Sequence, residues 1–193
     1  MDIDHDLDID IKDGVYSPSD DTFLLLEIMD LDGDENVLEI GCGSGFISLH
    51  CALKGCKVMS VDLSRKAIEN TLYNANRNGL DIDTAVMDMF SGLSGRWDVI
   101  IFNPPYLPNE NGLEFDHRWD GGERGDEALT RFLSEAQKYL KEEGYVYTVF
   151  SDRAPLENIE ALIDKRYILL RTRSKTFSFE TIYAVKLKKG NEN

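Results

Sequence analysis

The sequence lacks most of what a secreted, membrane-bound or metal-centred protein relies on. No apolar run in its 193 residues approaches the roughly 20 needed to span a bilayer. The acidic start has neither the basic nor the apolar region of a signal peptide. Cys42, Cys51 and Cys56 are odd in number and lack paired metal-ligand spacing, so they read as reduced core residues of a cytoplasmic protein. His5, His50 and His117 are too scattered to suggest a metal site, and none is expected. Positive charge is also scarce. Lys and Arg number 21 against 36 Asp and Glu, a net charge of -15 at pH 7. The segment Met1 to Asp13, with six Asp and one Lys, contributes -5 of this, so the acidity is general. A phosphate backbone is bound chiefly through Lys and Arg, and this balance argues against a nucleic-acid partner.

What is present is one domain's worth of alternating helix and strand patterns, with no internal repeat or linker. Apolar runs predict strands at Val37 to Ile40, Lys57 to Val61, Ile82 to Val86, Trp97 to Phe102 and Tyr145 to Phe150, with two more near Tyr167 to Arg173 and Phe177 to Leu187. Helical spacing covers Asp20 to Met29, a segment from Phe46, Arg65 to Asn78, Glu127 to Lys141 and Pro155 to Asp164. Gly144 is read as the stop between the fourth of these helices and the next strand. Such alternation implies a mainly parallel sheet covered on both faces. Residues 1–14 alternate acid and apolar side chains, which suits a short edge strand or an acidic leader. The polar stretch Asn109 to Arg118 is long for a loop and is a candidate for substrate recognition.

Two segments carry chemistry. In the first, the strand Val37-Leu38-Glu39-Ile40 runs into Gly41-Cys42-Gly43-Ser44-Gly45, and a helical pattern starts at Phe46. Glycines there allow a tight turn and close backbone approach to a ligand. The spacing is not the Gly-x-Gly-x-x-Gly of dinucleotide binders. Asp62 follows the next strand about 20 residues on, where a ribose-binding carboxylate belongs. Asp88 follows the strand after that. One acid at a strand end is usually a solvated cap. Three acids and a glycine loop at successive strand ends indicate a nucleotide-like ligand.

The second segment is Asn103-Pro104-Pro105-Tyr106, which leaves the carboxyl end of the strand Trp97 to Phe102. An Asn-Pro turn after a strand is common by itself. Here the two prolines fix a rigid extended turn, which presents an amide oxygen, a backbone carbonyl and an aromatic face. Those groups suit the planar nitrogen of an amide or a nucleobase.

With these residues in view, the chain resembles the HemK-type class I methyltransferases that use S-adenosylmethionine. More narrowly, it resembles the short eukaryotic and archaeal branch of release-factor glutamine methyltransferases. The resemblance rests on Glu39 to Gly45, Asp62, Asp88 and Asn103 to Tyr106, and extends to Val15 through Leu26 and to Trp119 through Gly125. Asp120 stands where that last segment usually has a small residue. The extra helical domain that precedes the catalytic one in longer bacterial enzymes has no room here. The resemblance implies an α/β fold, a single Rossmann-like class I methyltransferase domain over residues 15–188, with a tail at 189–193. Its seven-stranded sheet would be mainly parallel with one antiparallel strand.

The resemblance also assigns roles. Gly41, Gly43 and Gly45 would lie against the methionine and ribose portions of S-adenosylmethionine, with Glu39 supporting the loop. Asp62, with Leu63 beside it, would bind the ribose hydroxyls, and Asp88 the adenine amino group. Asp21 and Thr22 would close over the cofactor or its neighbouring substrate channel. Asn103 and the Pro104 carbonyl would accept hydrogen bonds from the substrate NH2, with Pro105 and Tyr106 completing the grip. The product would be S-adenosylhomocysteine. The implied substrate is the glutamine of the Gly-Gly-Gln tip of a class I release factor. The implied partner is a small zinc-binding activator subunit, docking beside the strand Ile82 to Val86. Two other functions stay open: a nucleic-acid methyltransferase acting on an exocyclic amino group, and a non-catalytic cofactor-binding subunit.

Overall fold

Alternate residues of the central strands divide between two apolar clusters, and that division organises the whole chain. A computed structural model describes residues 1–106 and 124–190. The polar loop expected at 109–118 and the segment 119–123 lie outside them. Chain order gives α1 (Asp20–Ile28), β1 (Asn36–Ile40), α2 (Phe46–Lys54), β2 (Lys57–Asp62), α3 (Arg65–Arg77), β3 (Asp83–Val86) and β4 (Trp97–Phe102). There follow α4 (Glu127–Ala136), β5 (Leu140–Ser151), α5 (Leu156–Arg166), β6 (Tyr167–Thr176) and β7 (Thr181–Lys189). The strands form one seven-stranded sheet in the order β3-β2-β1-β4-β5-β7-β6. Strands β1 to β5 pair in parallel, and β7 runs antiparallel to both its neighbours.

On one face, Val37, Val99, Ile101 and Val149 pack with Leu24 to Leu26 of α1 and Ile47 and Leu49 of α2. On the other, Leu38, Ile100, Phe102 and Val146 meet Leu129, Phe132 and Leu133 of α4 and Ile159 of α5. Successive strand residues point to opposite sides, so a continuous apolar run fills both layers at once. Burying one such side chain contributes about 1.5–3 kcal/mol.

Two expectations need correction. The helix read through to Lys141 ends at Ala136 and tightens into a 3-10 turn over Gln137–Tyr139, and Leu140 already starts β5. Gly144 therefore lies inside β5 rather than ahead of it. It sits where the pairing with β4 slips from Trp97↔Leu140 to Val99↔Tyr145. A Cβ there would come within 3.0 Å of the Lys141 carbonyl oxygen. Local helical periodicity in 137–141 yields to the pairing of Leu140 with Trp97.

Residues 1–14 form no strand. The Met1 amino group donates to the Leu26 and Met29 carbonyls, but from Asp8 to Lys12 the hydrogen bonds that the backbone amides donate go to side chains. Amides of Asp8, Asp10 and Lys12 donate to the Oδ1 atoms of Asn78, Asn74 and Asn70 at 2.8–3.0 Å. The Asn78 Nδ2 group donates to the Asp8 carbonyl, and those of Asn70 and Asn74 donate to that of Asp10, at 2.8–3.0 Å. Four helical residues advance about 6 Å and two extended residues about 6.6 Å, so asparagines four apart can read every second residue. Each carboxamide supplies the donor and acceptor that a neighbouring strand would. The apolar members Ile3, Leu7 and Ile9 pack against the core, while Ile11 is exposed.

Candidate active site

The carboxyl ends of β1, β2 and β4 converge where open α/β sheets bind ligands, beside the point at which strand order reverses. A cavity of about 450 Å³ opens there, within the usual range for a small-molecule site. Gly41, Gly43, Glu39, Asp62, Leu63, Asp88, Asp21, Thr22 and the whole tetrapeptide Asn103 to Tyr106 line it.

Of the predicted residues, Gly45 is not in the lining. It begins α2 with φ +81°, and a Cβ there would lie 2.8 Å from Thr71 Cγ2 and 2.9 Å from Leu49 Cδ1. It shapes the loop and makes no wall of the cavity. Gly41 answers to a different neighbour. Its absent Cβ would lie 3.2 Å from the ring of Phe102. The loop is also tied to β2, since Gly41 N donates to the Val61 carbonyl at 2.7 Å. Asp62 accepts from Gly43 N at 3.1 Å and from Ser64 N at 2.8 Å, which fixes its carboxylate at the cavity floor.

Glu39 is buried beneath the loop, and Ser48 Oγ donates to its Oε2. Ser48 is 2.5 Å from the Ser60 hydroxyl. Burial pushes the Glu39 carboxyl up to about 8, the Ser48 bond opposes that rise, and nearby Asp62 adds to it.

Asn103 is oriented by α1. Its Nδ2 donates to Asp21 Oδ2 at 3.0 Å and to Thr22 Oγ1 at 3.1 Å. An ionised carboxylate only accepts, so the nitrogen must face Asp21 and the amide oxygen must point away. That oxygen, Asn103 Oδ1, is buried and has no hydrogen-bond partner among the described residues. A buried acceptor without a partner costs about 1–3 kcal/mol, and a ligand N–H would recover it. Asp21 and Thr22, read from resemblance as closing over the cofactor or substrate channel, both accept from Asn103 while lining the cavity. Pro104 is buried, and Pro105 and Tyr106 are half-buried. Burial raises the Tyr106 hydroxyl above its ordinary pKa, so it stays protonated.

Sequence reasoning missed several members. Tyr16 reaches the same Asp21 carboxylate, donating at 2.6 and 2.8 Å to its two oxygens. Arg131 of α4 lies beside Asp88, with guanidinium nitrogens 2.8–3.1 Å from both carboxylate oxygens. Nothing local in the sequence ties position 131 to position 88; the packing of Phe132 against Phe90 and Phe102 brings them together. Met89 takes φ +47°, a backbone state rare for a side-chain-bearing residue and common at functional sites. Apart from Glu39, whose carboxyl is kept protonated by burial, four acidic side chains line the cavity, those of Asp21, Asp62, Asp88 and Glu127, against the one guanidinium of Arg131 among the described residues. Such a lining fits a cationic ligand that carries hydroxyl and amino donors, as S-adenosylmethionine does.

Comparison with known proteins gives the same picture. The family described as the methyltransferase small domain matches residues 6–180. A Methanocaldococcus jannaschii protein, provisionally named a protein N5-glutamine methyltransferase, is 41% identical over 137 residues, covering 68% of this chain and 70% of its own length. Human methyltransferase HEMK2 is 32% identical over 192 residues, covering 91% of this chain and 90% of its own. Among solved structures, the E. cuniculi Mtq2–Trm112 complex is described as responsible for methylation of the eRF1 translation termination factor. It matches with a TM-score of 0.71 and 24% identity, over 92% of this chain and 99% of that one.

Proposed function

This chain belongs to the methyltransferase small domain family, and from that premise we propose that it methylates the side-chain amide nitrogen of a glutamine. The substrate is the Gly-Gly-Gln tip of a class I translation release factor, and the work is done in the cytoplasm. One observation carries this reading: Asn103 lines the cavity with its amide nitrogen held by Asp21 and Thr22 and with a buried Oδ1 that has no partner among the described residues. The names of the archaeal and E. cuniculi relatives support the choice of substrate.

When bound, S-adenosylmethionine supplies an electrophilic methyl group on a sulfonium centre. Asp62 accepts hydrogen bonds from its ribose hydroxyls, with Leu63 alongside. Asp88, already gripped by Arg131, accepts from the adenine amino group. Gly41 and Gly43 let the backbone approach, and Glu39 holds the loop from below. Asn103 Oδ1 and the Pro104 carbonyl accept the two N–H bonds of the glutamine amide, while Tyr106 and Pro105 bound its plane. An amide nitrogen is a weak nucleophile because its lone pair is delocalised. Acceptors aimed at its hydrogens favour the electron-rich nitrogen and the positive charge that develops on it. Positioning supplies much of the remaining catalysis. A Gly-Gly-Gln loop carries no side chain ahead of its glutamine, so it can enter a narrow opening.

A small zinc-binding activator subunit completes the enzyme, docked at β3. That strand is one of the sheet's two edge strands among the described residues, and an edge strand invites strand addition. The E. cuniculi relative is a complex with a second protein, which supports a partner of this kind. The deciding experiment incubates the enzyme, with and without activator, against purified release factor, its Gln→Ala variant, transfer RNA, ribosomal RNA and DNA. One added methyl on that glutamine is expected. Labelling of nucleic acid alone, with activator present, would transfer the assignment to an exocyclic base amine.

A further inference from the structure

Tyr16 lies outside every role given above, yet it is tied to the site from two directions. On its N-terminal side, the asparagine ladder of Asn70, Asn74 and Asn78 seats residues 8–12. Val15 N then donates to the Lys12 carbonyl at 3.0 Å, a turn that brings Gly14, Val15 and Tyr16 to the cavity wall. On its other side, the phenol hydroxyl meets both oxygens of Asp21, which is itself buried.

The donors around Asp21 differ in what they can fix. Ser19 Oγ reaches Oδ1 at 2.8 Å and Asn103 Nδ2 reaches Oδ2 at 3.0 Å, so each touches one oxygen. Tyr16 lies against both oxygens, at 2.6 and 2.8 Å, and so restrains the rotation of the carboxylate together with Ser19 and the longer 3.4 Å contact from Thr22 Oγ1. Burial and the adjoining Asp21 charge raise the Tyr16 hydroxyl well above its ordinary pKa, so it remains a donor. Thr22 Oγ1 can accept from Asn103 or donate to it, and therefore tolerates either orientation of the amide. Asp21 tolerates one. The orientation of Asn103 thus depends on where Asp21 points, and that depends on Tyr16.

We propose that Tyr16 is a positioning residue which, through Asp21, keeps the Asn103 amide oxygen turned towards the substrate nitrogen. The N-terminal segment is then a working part of the enzyme, because the ladder on α3 holds the backbone that carries Tyr16. The inference rests on reading Asn103 as the acceptor for the substrate amide.

Tyr16→Phe removes the hydroxyl and keeps the ring. Three measurements follow on the full chain with any activator it needs. Nitrogen-15 NMR of the free enzyme should show the Asn103 side-chain NH2 pair shifted or split into two states. Turnover should fall about tenfold while the dissociation constant for S-adenosylmethionine stays within about twofold. In an Asn103→Ala background the same change should cost no further turnover, since residues acting through one group are not additive. An unmoved Asn103 pair would overturn the proposal. So would a loss of cofactor affinity as large as the loss of turnover, which would make Tyr16 a cavity wall. The NMR measurement uses no substrate, so it still decides this point if release factor proves not to be methylated.

Discussion

The Asp21 carboxylate and the Asn103 side-chain amide are 82 residues apart in sequence and 3.0 Å apart in the fold. Helix α1 supplies one and the end of β4 the other, so neither element alone defines the reactive geometry. The contact spends both amide hydrogens of Asn103 on the protein, one on Asp21 and one on Thr22, and leaves the oxygen for a ligand.

Asn103→Ala should reduce turnover by at least about a hundredfold, because the substrate amide loses its side-chain acceptor. Cofactor affinity should stay close to wild type. Steady-state kinetics beside calorimetry separates the two effects, and near-normal turnover in the variant would refute the role given to Asn103.

Asp62→Ala should weaken S-adenosylmethionine binding by about 1–3 kcal/mol, through loss of a charged acceptor for the ribose hydroxyls. Gly43 N also loses its partner, so calorimetry must be paired with a check of folding. Unchanged affinity in a folded variant would remove Asp62 from the cofactor site.

Glu39 makes stability depend on pH in a definite direction. Its carboxyl titrates at about 8 in the folded chain, and near 4.3 in an unfolded one. Between those values the folded state keeps the proton and the unfolded state has released it. The contribution is complete below the unfolded value and is lost as pH rises through the folded one. Glu39→Gln cannot ionise, so its melting temperature relative to wild type should climb between about pH 5 and pH 9. A difference that stays level with pH would show that Glu39 is ionised in the fold.

Gly45→Ala places a methyl group against Thr71 and Leu49 in a backbone state with φ +81°. The expected cost is about 2–4 kcal/mol of stability, measured by urea unfolding. A variant as stable as wild type would mean that the α2 start relaxes freely.

Asn74→Ala removes the bonds to Asp10 N, to the Asp10 carbonyl and to the buried Ser44 carbonyl. Stability should fall by about 2–4 kcal/mol. The Asp10 amide should also lose its protection from hydrogen exchange, together with those of its neighbours Asp8 and Lys12. Retained protection would show that Asn74 does not hold the segment.

Much of this protein is legible in its sequence, for local reasons. The runs Val37 to Ile40 and Trp97 to Phe102 announce two-sided burial, and the loop Gly41 to Gly45 announces a backbone turn that side chains would obstruct. The rigid turn at Asn103-Pro104-Pro105-Tyr106 follows from proline geometry. Each signal is carried by residues adjacent in the chain, where sterics and hydrophobic spacing act directly. The decisions left to the tertiary structure join residues that sequence distance separates. Helix α1 brings Asp21 to Asn103, α4 brings Arg131 to Asp88, and α3 with its C-cap Asn78 lines up three asparagines against a segment that resembled a strand. In β5, pairing with β4 overrode a helical pattern around Leu140. Which donor meets which acceptor depends on how helices settle across a completed sheet, and hydrogen bonds are too directional and short-ranged to be read from spacing along the chain.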